Sequence, residues 1–309
     1  MSTTAIATKP ATWLAGYIPD LPTPFGPKGE VDLNAFRGLC ERQIEAGVSA
    51  LVVCETAGEA STVSPVEQEA IIRAAVDVAR GRARIIAGAG SNSTSQAIAL
   101  TQRAEAAGAD AVLSVVPYYN KPIQNGIYAH FRAIGDSTRL PIVLHDIPAR
   151  TIRELANDTL ARLAESRQFI GLRDGSGDVC RPVRLRELLP SHFRLLTGDD
   201  ATALAYLANG GDGCISTVSN VAPDLCRMIS TNCRQGRFQT ARDLQGQLAP
   251  LEACLSANNP AALKYALSLL GFIYPDARPP IVEPDAPAKA AIARIVAGMD
   301  QRQLAAARG

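Results

Sequence analysis

Phe169-Ile170-Gly171-Leu172-Arg173-Asp174-Gly175-Ser176-Gly177-Asp178 is a short apolar run that stops at a charged pair and a glycine-rich turn. It reads as a buried strand followed by a loop. In a protein built of βα repeats, the C-terminal ends of the strands carry the functional loops. The residue at the strand end sets the chemistry that is open, and here it is Arg173. A guanidinium stays protonated at any working pH and is no nucleophile, whereas a lysine in the same place could form an imine.

The same unit recurs on both sides of this stretch. Upstream, strands are expected over Ala15 to Leu21, Ser49 to Cys54, Arg84 to Ala89, Ala111 to Val116 and Pro141 to Leu144. Downstream they are expected over Phe193 to Leu196 and Gly213 to Thr217. Amphipathic segments separate them. Asp32 is placed to cap a helix that runs through Glu45 and stops at Gly47. Ser64-Pro65-Val66-Glu67 has the form of a capping box with proline at the first helical position, opening a helix to about Arg80. Further helices are expected up to Ala107, around Tyr128 to Ile134 and around Asp158 to Glu165. Near-continuous apolar strands argue for a parallel sheet covered on both faces, and eight βα units close into a (β/α)8 TIM barrel, an α/β fold. An open doubly wound sheet is disfavoured, because Pro22-Thr23-Pro24 stands where a Gly-x-Gly-x-x-Gly turn would follow the first strand.

From about Arg237 the alternation gives way to helical periodicity over Phe238 to Leu255, Pro260 to Leu270 and Ala286 to Met299, broken at Asn258-Asn259-Pro260 and Pro279-Pro280. The expected organisation is a loose N-terminal tail over 1–14, the barrel over 15–236 and a C-terminal helical appendix over 237–309. Such an appendix is expected to pack on the barrel or on a partner subunit rather than to carry catalysis.

The 309 residues are 47% hydrophobic and 20% charged with a net charge of +1, and they contain no Lys/Arg blocks. That balance argues against nucleic-acid and membrane partners. No apolar run approaches the roughly 20 residues that cross a bilayer, and the first ten residues lack the form of a signal peptide. A cytoplasmic protein is expected. The seven cysteines are scattered without a Cys-x-x-Cys pair, and only three histidines accompany them. Reduced thiols in a core are expected, with neither disulfides nor a metal site.

From about Ala15 to the C-terminus the chain resembles the dihydrodipicolinate synthase/N-acetylneuraminate lyase family of (β/α)8 aldolases. The resemblance is carried by Thr56-Ala57-Gly58-Glu59, Gly88-Ala89-Gly90-Ser91-Asn92, Pro117-Tyr118-Tyr119-Asn120-Lys121-Pro122, Ile147-Pro148-Ala149-Arg150-Thr151, Ile170-Gly171-Leu172, Gly198-Asp199-Asp200 and Asn259-Pro260, in that order and spacing. It implies a lysine imine with a pyruvate-like 2-oxo acid, a tyrosine that relays protons, a hydroxyl turn that binds the acid's carboxylate, and no cofactor. It also implies a homotetramer, a dimer of dimers, in which the second tyrosine of Tyr-Tyr-Asn reaches into a neighbour's site.

The chain departs from that pattern where the chemistry lies. The lysine position holds Arg173, the relay tyrosine position holds His145, the second hydroxyl of the turn is Ala57, and Glu55 stands in place of a glycine. The five lysines are Lys9, Lys28, Lys121, Lys264 and Lys289, and none ends an expected strand. Candidate catalytic residues are thus His145, Arg173, Tyr119 and Thr56; candidate substrate-binding residues are Thr56, Ala57, Gly58, Arg150, Arg173 and Ile215. Arg173 either fills the lysine's space and pairs with Glu55 or Asp174, or offers a bidentate fork to a ligand carboxylate. His145 beside Asp146 is either a core histidine or a proton-transfer group. Tyr118 and Tyr119 suit an interface, and Asp199-Asp200 reads as a strand-end and helix-cap feature. Three functions remain open: an enzyme acting on a small 2-oxo or 2-hydroxy acid without an imine, a catalytically silent small-acid-binding protein, and an aldolase that uses another lysine such as Lys121.

Overall fold

The computed structural model describes residues 11–257 and 259–306. Its eight strands are β1 (Gly16–Pro19), β2 (Ala50–Val53), β3 (Arg84–Gly88), β4 (Ala111–Val115), β5 (Ile142–Asp146), β6 (Phe169–Asp174), β7 (Arg194–Thr197) and β8 (Gly213–Ser216). Each from β2 to β8 pairs in parallel with its sequence neighbour, and β8 pairs back onto β1. A parallel bridge between Asp20 and Val52, with the Leu21 N–H donating to the Val52 carbonyl at 2.9 Å, closes the circuit. The fold is a TIM barrel with a C-terminal helical region.

The helices around the barrel are α1 (Leu33–Glu45), α2 (Pro65–Ala79), α3 (Thr94–Ala106), α4 (Gln124–Asp136), α5 (Pro148–Thr151), α6 (Asn157–Ala164), α7 (Arg181–Leu188), α8 (Ala203–Ala208) and α9 (Pro223–Arg234). Local chemistry sets their starts. The Asp32 carboxylate accepts from the Asn34 and Ala35 N–H groups at 3.0 and 2.9 Å, satisfying two of the donors that a helix N-terminus leaves open. Ser64 and Glu67 cap each other's backbone at the start of α2. The short α5 was not foreseen, because four residues are too few to show a helical period.

Successive side chains of a strand face opposite ways, and this divides the core into two layers. Ile18, Val52, Ile86, Leu113, Val143 and Ile215 fill the inside of the barrel, while a larger cluster packs the outside of the strands against the helices. Ala11 and Leu14 join the inner layer, so this part of the expected tail is packed; residues 1–10 lie outside the described residues. The strand expected to end at Leu144 continues to Asp146. His145 and Arg173 are register partners, as are Asp146 and Asp174. Since Val143 faces inward and Leu172 outward, His145 and Arg173 face the barrel interior, and Asp146 and Asp174 face the helices.

The appendix consists of α10 (Phe238–Ala257), α11 (Ala261–Leu269) and α12 (Ala286–Ala306). It is tied to the barrel mouth by polar contacts. Gln245 of α10 donates to the Asp200 carbonyl at 3.0 Å, and the buried Lys264 of α11 is paired with the buried Glu59 and donates to the Asp276 carbonyl at 2.8 Å. The Lys264 ammonium also lies 3.9 Å from the centroid of the Phe25 ring, a cation–π contact.

Candidate active site at the barrel mouth

Beneath the mouth, at the C-terminal ends of β1, β2, β5 and β6, four ionisable side chains meet out of water. Arg173 projects inward from β6, and its Nη1 donates to Glu55 Oε2 at 2.8 Å and to Asp20 Oδ2 at 3.0 Å. Gly198, just past β7, makes room for it: a Cβ there would lie 3.1 Å from Nε and 3.3 Å from Cγ of Arg173. His145 Nδ1 lies 2.9 Å from Glu55 Oε1. The Thr56 N–H also donates to Glu55 Oε2, and the Ala57 N–H reaches Asp20 Oδ2 at 3.5 Å. The turn that presents these amides is bracketed by Cys54 at φ 56° and Glu59 at φ 53°, left-handed conformations that side chains adopt at a cost and that the surrounding structure must impose.

Burial and the neighbouring Glu55 carboxylate outweigh Arg173 and push Asp20 up to about 7. Burial works on Glu55 in the same direction. There it is overcome by His145, by Arg173 and by the Thr56 bond, which together hold Glu55 well below the usual carboxylate range. His145 is lowered, chiefly by burial, so near pH 7 the imidazole is neutral and holds Glu55 through its hydrogen bond, with Arg173 as the cation beside it. An ionised carboxylate only accepts. His145 therefore carries its hydrogen on Nδ1 and a lone pair on Nε2, which has no partner among the described residues. The four groups together hold no net positive charge.

Above them opens a cavity of about 160 Å³. Thr56, Arg150, Arg173 and Gly198 line one side, and Asp199, Asp200 and Thr217 come from the loops after β7 and β8. Glu252, Leu255, Ser256 and Asn259, at the end of α10 and just beyond it, complete the wall. The Asp200 carboxylate is spent on the chain, accepting from Ser216 Oγ at 2.5 Å and from the Thr217 and Val218 N–H groups at 2.8 and 3.1 Å. Asp199 caps its own turn through Ala201 N–H and Thr202 Oγ1 at 3.1 and 2.7 Å. The pair thus serves strand end and turn.

The profile of the dihydrodipicolinate synthetase family matches residues 13–298. The chain belongs to this family. Among relatives of known name, the 4-hydroxy-tetrahydrodipicolinate synthase of Hyphomonas neptunium is 46% identical over 290 residues, covering 92% of this chain and 99% of the relative. The enzyme of the same name from Gluconobacter oxydans is 43% identical over 278 residues, covering 90% and 94%. The crystal structure of chloride-inhibited dihydrodipicolinate synthase from Acinetobacter baumannii, complexed with pyruvate, superposes with a TM-score of 0.89 at 37% identity, covering 92% of this chain and 98% of that one.

In this family member the cavity brings together Thr56, Arg150 and Arg173. Ala57 is buried behind the turn, and Gly58 is held by Thr23 Oγ1, which donates to its carbonyl at 2.7 Å. His145 is 1% exposed and does not line the cavity. Its carboxylate partner is Glu55 rather than the adjacent Asp146, which points the other way and accepts from Arg181 at 2.7 Å. Arg181 also takes Asp174, at 3.0 Å, leaving Arg173 to Glu55 and Asp20. Ile215 belongs to the inner core layer below the cavity, and Tyr119 stands 87% exposed on the rim at φ 70°.

Sequence reading missed Asp20, Glu252, Ser256 and Asn259. Asp20 did leave a signal, as the one carboxylate in an otherwise apolar strand, which burial obliges to find a partner.

Proposed function

We propose that this chain is a lyase-family protein that binds a small 2-oxo or 2-hydroxy acid at the barrel mouth and handles it without a Schiff base. The carrying observation is that the end of β6 presents a guanidinium, and no lysine lines the cavity. Lys264, a buried amine, is engaged by Glu59 and the Asp276 carbonyl. Lys121 lies in the exposed loop after β4. Because Asp20 and Glu55 neutralise Arg173, the guanidinium serves better as a donor to a carbonyl or enolate oxygen than as the seat of a carboxylate. Its Nη2 makes no hydrogen bond among the described residues and is the edge left for that oxygen. The acid's carboxylate then falls to Arg150, which has no ion pair among the described residues, and to the Thr56 hydroxyl. Glu55 fixes the tautomer that leaves His145 Nε2 as the proton acceptor. A related synthase holding pyruvate supports an acid of that size.

The second reading, a catalytically silent small-acid binder, is favoured by the burial of His145 outside the cavity lining. Solvent-deuterium exchange into bound pyruvate separates the two. Exchange that falls about a hundredfold or more in His145→Ala supports proton transfer; binding without exchange supports the silent protein, and exchange unchanged in the variant removes His145 from the chemistry.

We also propose a homotetramer that uses the rim around Tyr119. Tyr118, Tyr119, Ile123 and Ile152 are all exposed there. The two loops that carry them are joined by Gln124 donating to the Glu154 carbonyl at 2.9 Å and Arg153 donating to the Lys121 carbonyl at 3.3 Å. An apolar, aromatic rim of this kind suits a subunit interface.

A further inference from the structure

Glu55 folds back onto the turn that it begins. Its Oε2 takes the Thr56 N–H and Arg173 Nη1, at 2.8 Å from the latter, and its Oε1 takes His145 Nδ1 at 2.9 Å. A main-chain amide, a guanidinium and an imidazole therefore converge on one buried carboxylate. Charge-assisted donors gathered in this way form a binding site for a small acid. We propose that Glu55 is the internal occupant of a carboxylate site, and that removing its side chain opens the site to a free monocarboxylate of acetate size.

The donors do not depend on Glu55 for their positions. Arg173 stays tethered to Asp20 at 3.0 Å. The turn is held by Thr23 Oγ1 on the Gly58 carbonyl, at 2.7 Å, and by Glu59, which binds Lys264 and accepts from the Arg278 N–H at 3.0 Å. His145 is fixed within β5 by its register with β4 and β6. Glutamate minus alanine is a methylene and a carboxylate, so truncation leaves a space with the outline of acetate and the three donors still aimed into it. Glu55 is on this account the residue that decides which acids enter. With it in place, a ligand is confined to the cavity above; without it, a second and deeper carboxylate seat is available. The proposal rests on the functional reading only in placing ligand binding at the Thr56 turn.

The test is thermal unfolding of wild type, Glu55→Ala and Glu55→Gln with added sodium acetate, and with sodium chloride at matched ionic strength. A ligand that binds the folded state alone raises the melting temperature in a saturable manner. Acetate is expected to raise that of Glu55→Ala by several degrees over chloride. Wild type and Glu55→Gln, whose amide still fills the seat, are expected not to respond. Acetate acting on Glu55→Ala no more than chloride does, or equally on all three proteins, overturns the proposal. Should Glu55→Ala fail to fold in acetate-free buffer, refolding yield gives the same readout: recovery that follows acetate but not chloride supports it, and recovery in neither overturns it. Acetate has no oxo group, so this result is independent of proton exchange in wild type, and either idea can fail while the other stands.

Discussion

Burying a guanidinium at the end of β6 is tolerable because two carboxylates meet it, and the second of these, Asp20, gives the cluster a pH signature. Asp20 has an ordinary value of 3.8 and is raised to about 7 in the fold. Between those values the folded chain holds a proton that the unfolded chain has released, so Asp20 contributes stability that is full below 3.8 and lost as the pH rises through about 7. Denaturant unfolding across that window is expected to show a larger fall in stability for wild type than for Asp20→Asn. Asp146, raised to about 6 mainly by burial, adds a fall of the same sign in both proteins and cancels from the comparison. At this scale the sequence was half legible. Arg173, His145 and Thr56 announced themselves at strand ends, and pairing with Glu55 was one of the two partners considered for Arg173. The separation of His145 from Asp146 followed only once β5 was seen to run two residues further, since alternation then sends neighbours to opposite faces.

Among the elements, the capped helices and the apolar strands were readable because their signals are local: Asp32, the Ser64 and Glu67 box, and runs such as Ala50 to Val53. What α10 and α11 do was not readable, because the contacts that tie them to the mouth join residues distant in sequence, Gln245 with Asp200 and Lys264 with Glu59. Glu252 and Ser256 complete the cavity wall, so the appendix does more than pack on the barrel. Lys264 of α11, pushed down to about 8 by burial, holds Glu59 at the end of the turn that carries Thr56. Replacing Lys264 by Met strips Glu59 of its buried cation and is expected to cost about 3–5 kcal/mol in denaturant unfolding. Adding Glu59→Gln is expected to recover part of that loss, because no uncompensated charge then stays buried. Losses that simply add would show that the two side chains act separately.

For the whole molecule, eight apolar runs with interleaved helices were enough to give the barrel, because parallel strands buried on both faces have few ways to close. Assembly has no comparable signature in one chain. The exposed rim around Tyr119 leads to an expected tetramer in sedimentation or light scattering, with Tyr119→Ala shifted toward smaller species; a wild-type monomer would leave the rim without its proposed role. The proposal of a reaction without an imine rests on Arg173 standing near the end of β6. The most direct test is to treat the intact protein with pyruvate and borohydride and weigh it. The expected spectrum shows the mass of the unmodified chain, with pyruvate bound but never reduced onto it. A covalent adduct on any lysine, Lys264 and Lys121 included, would contradict this account.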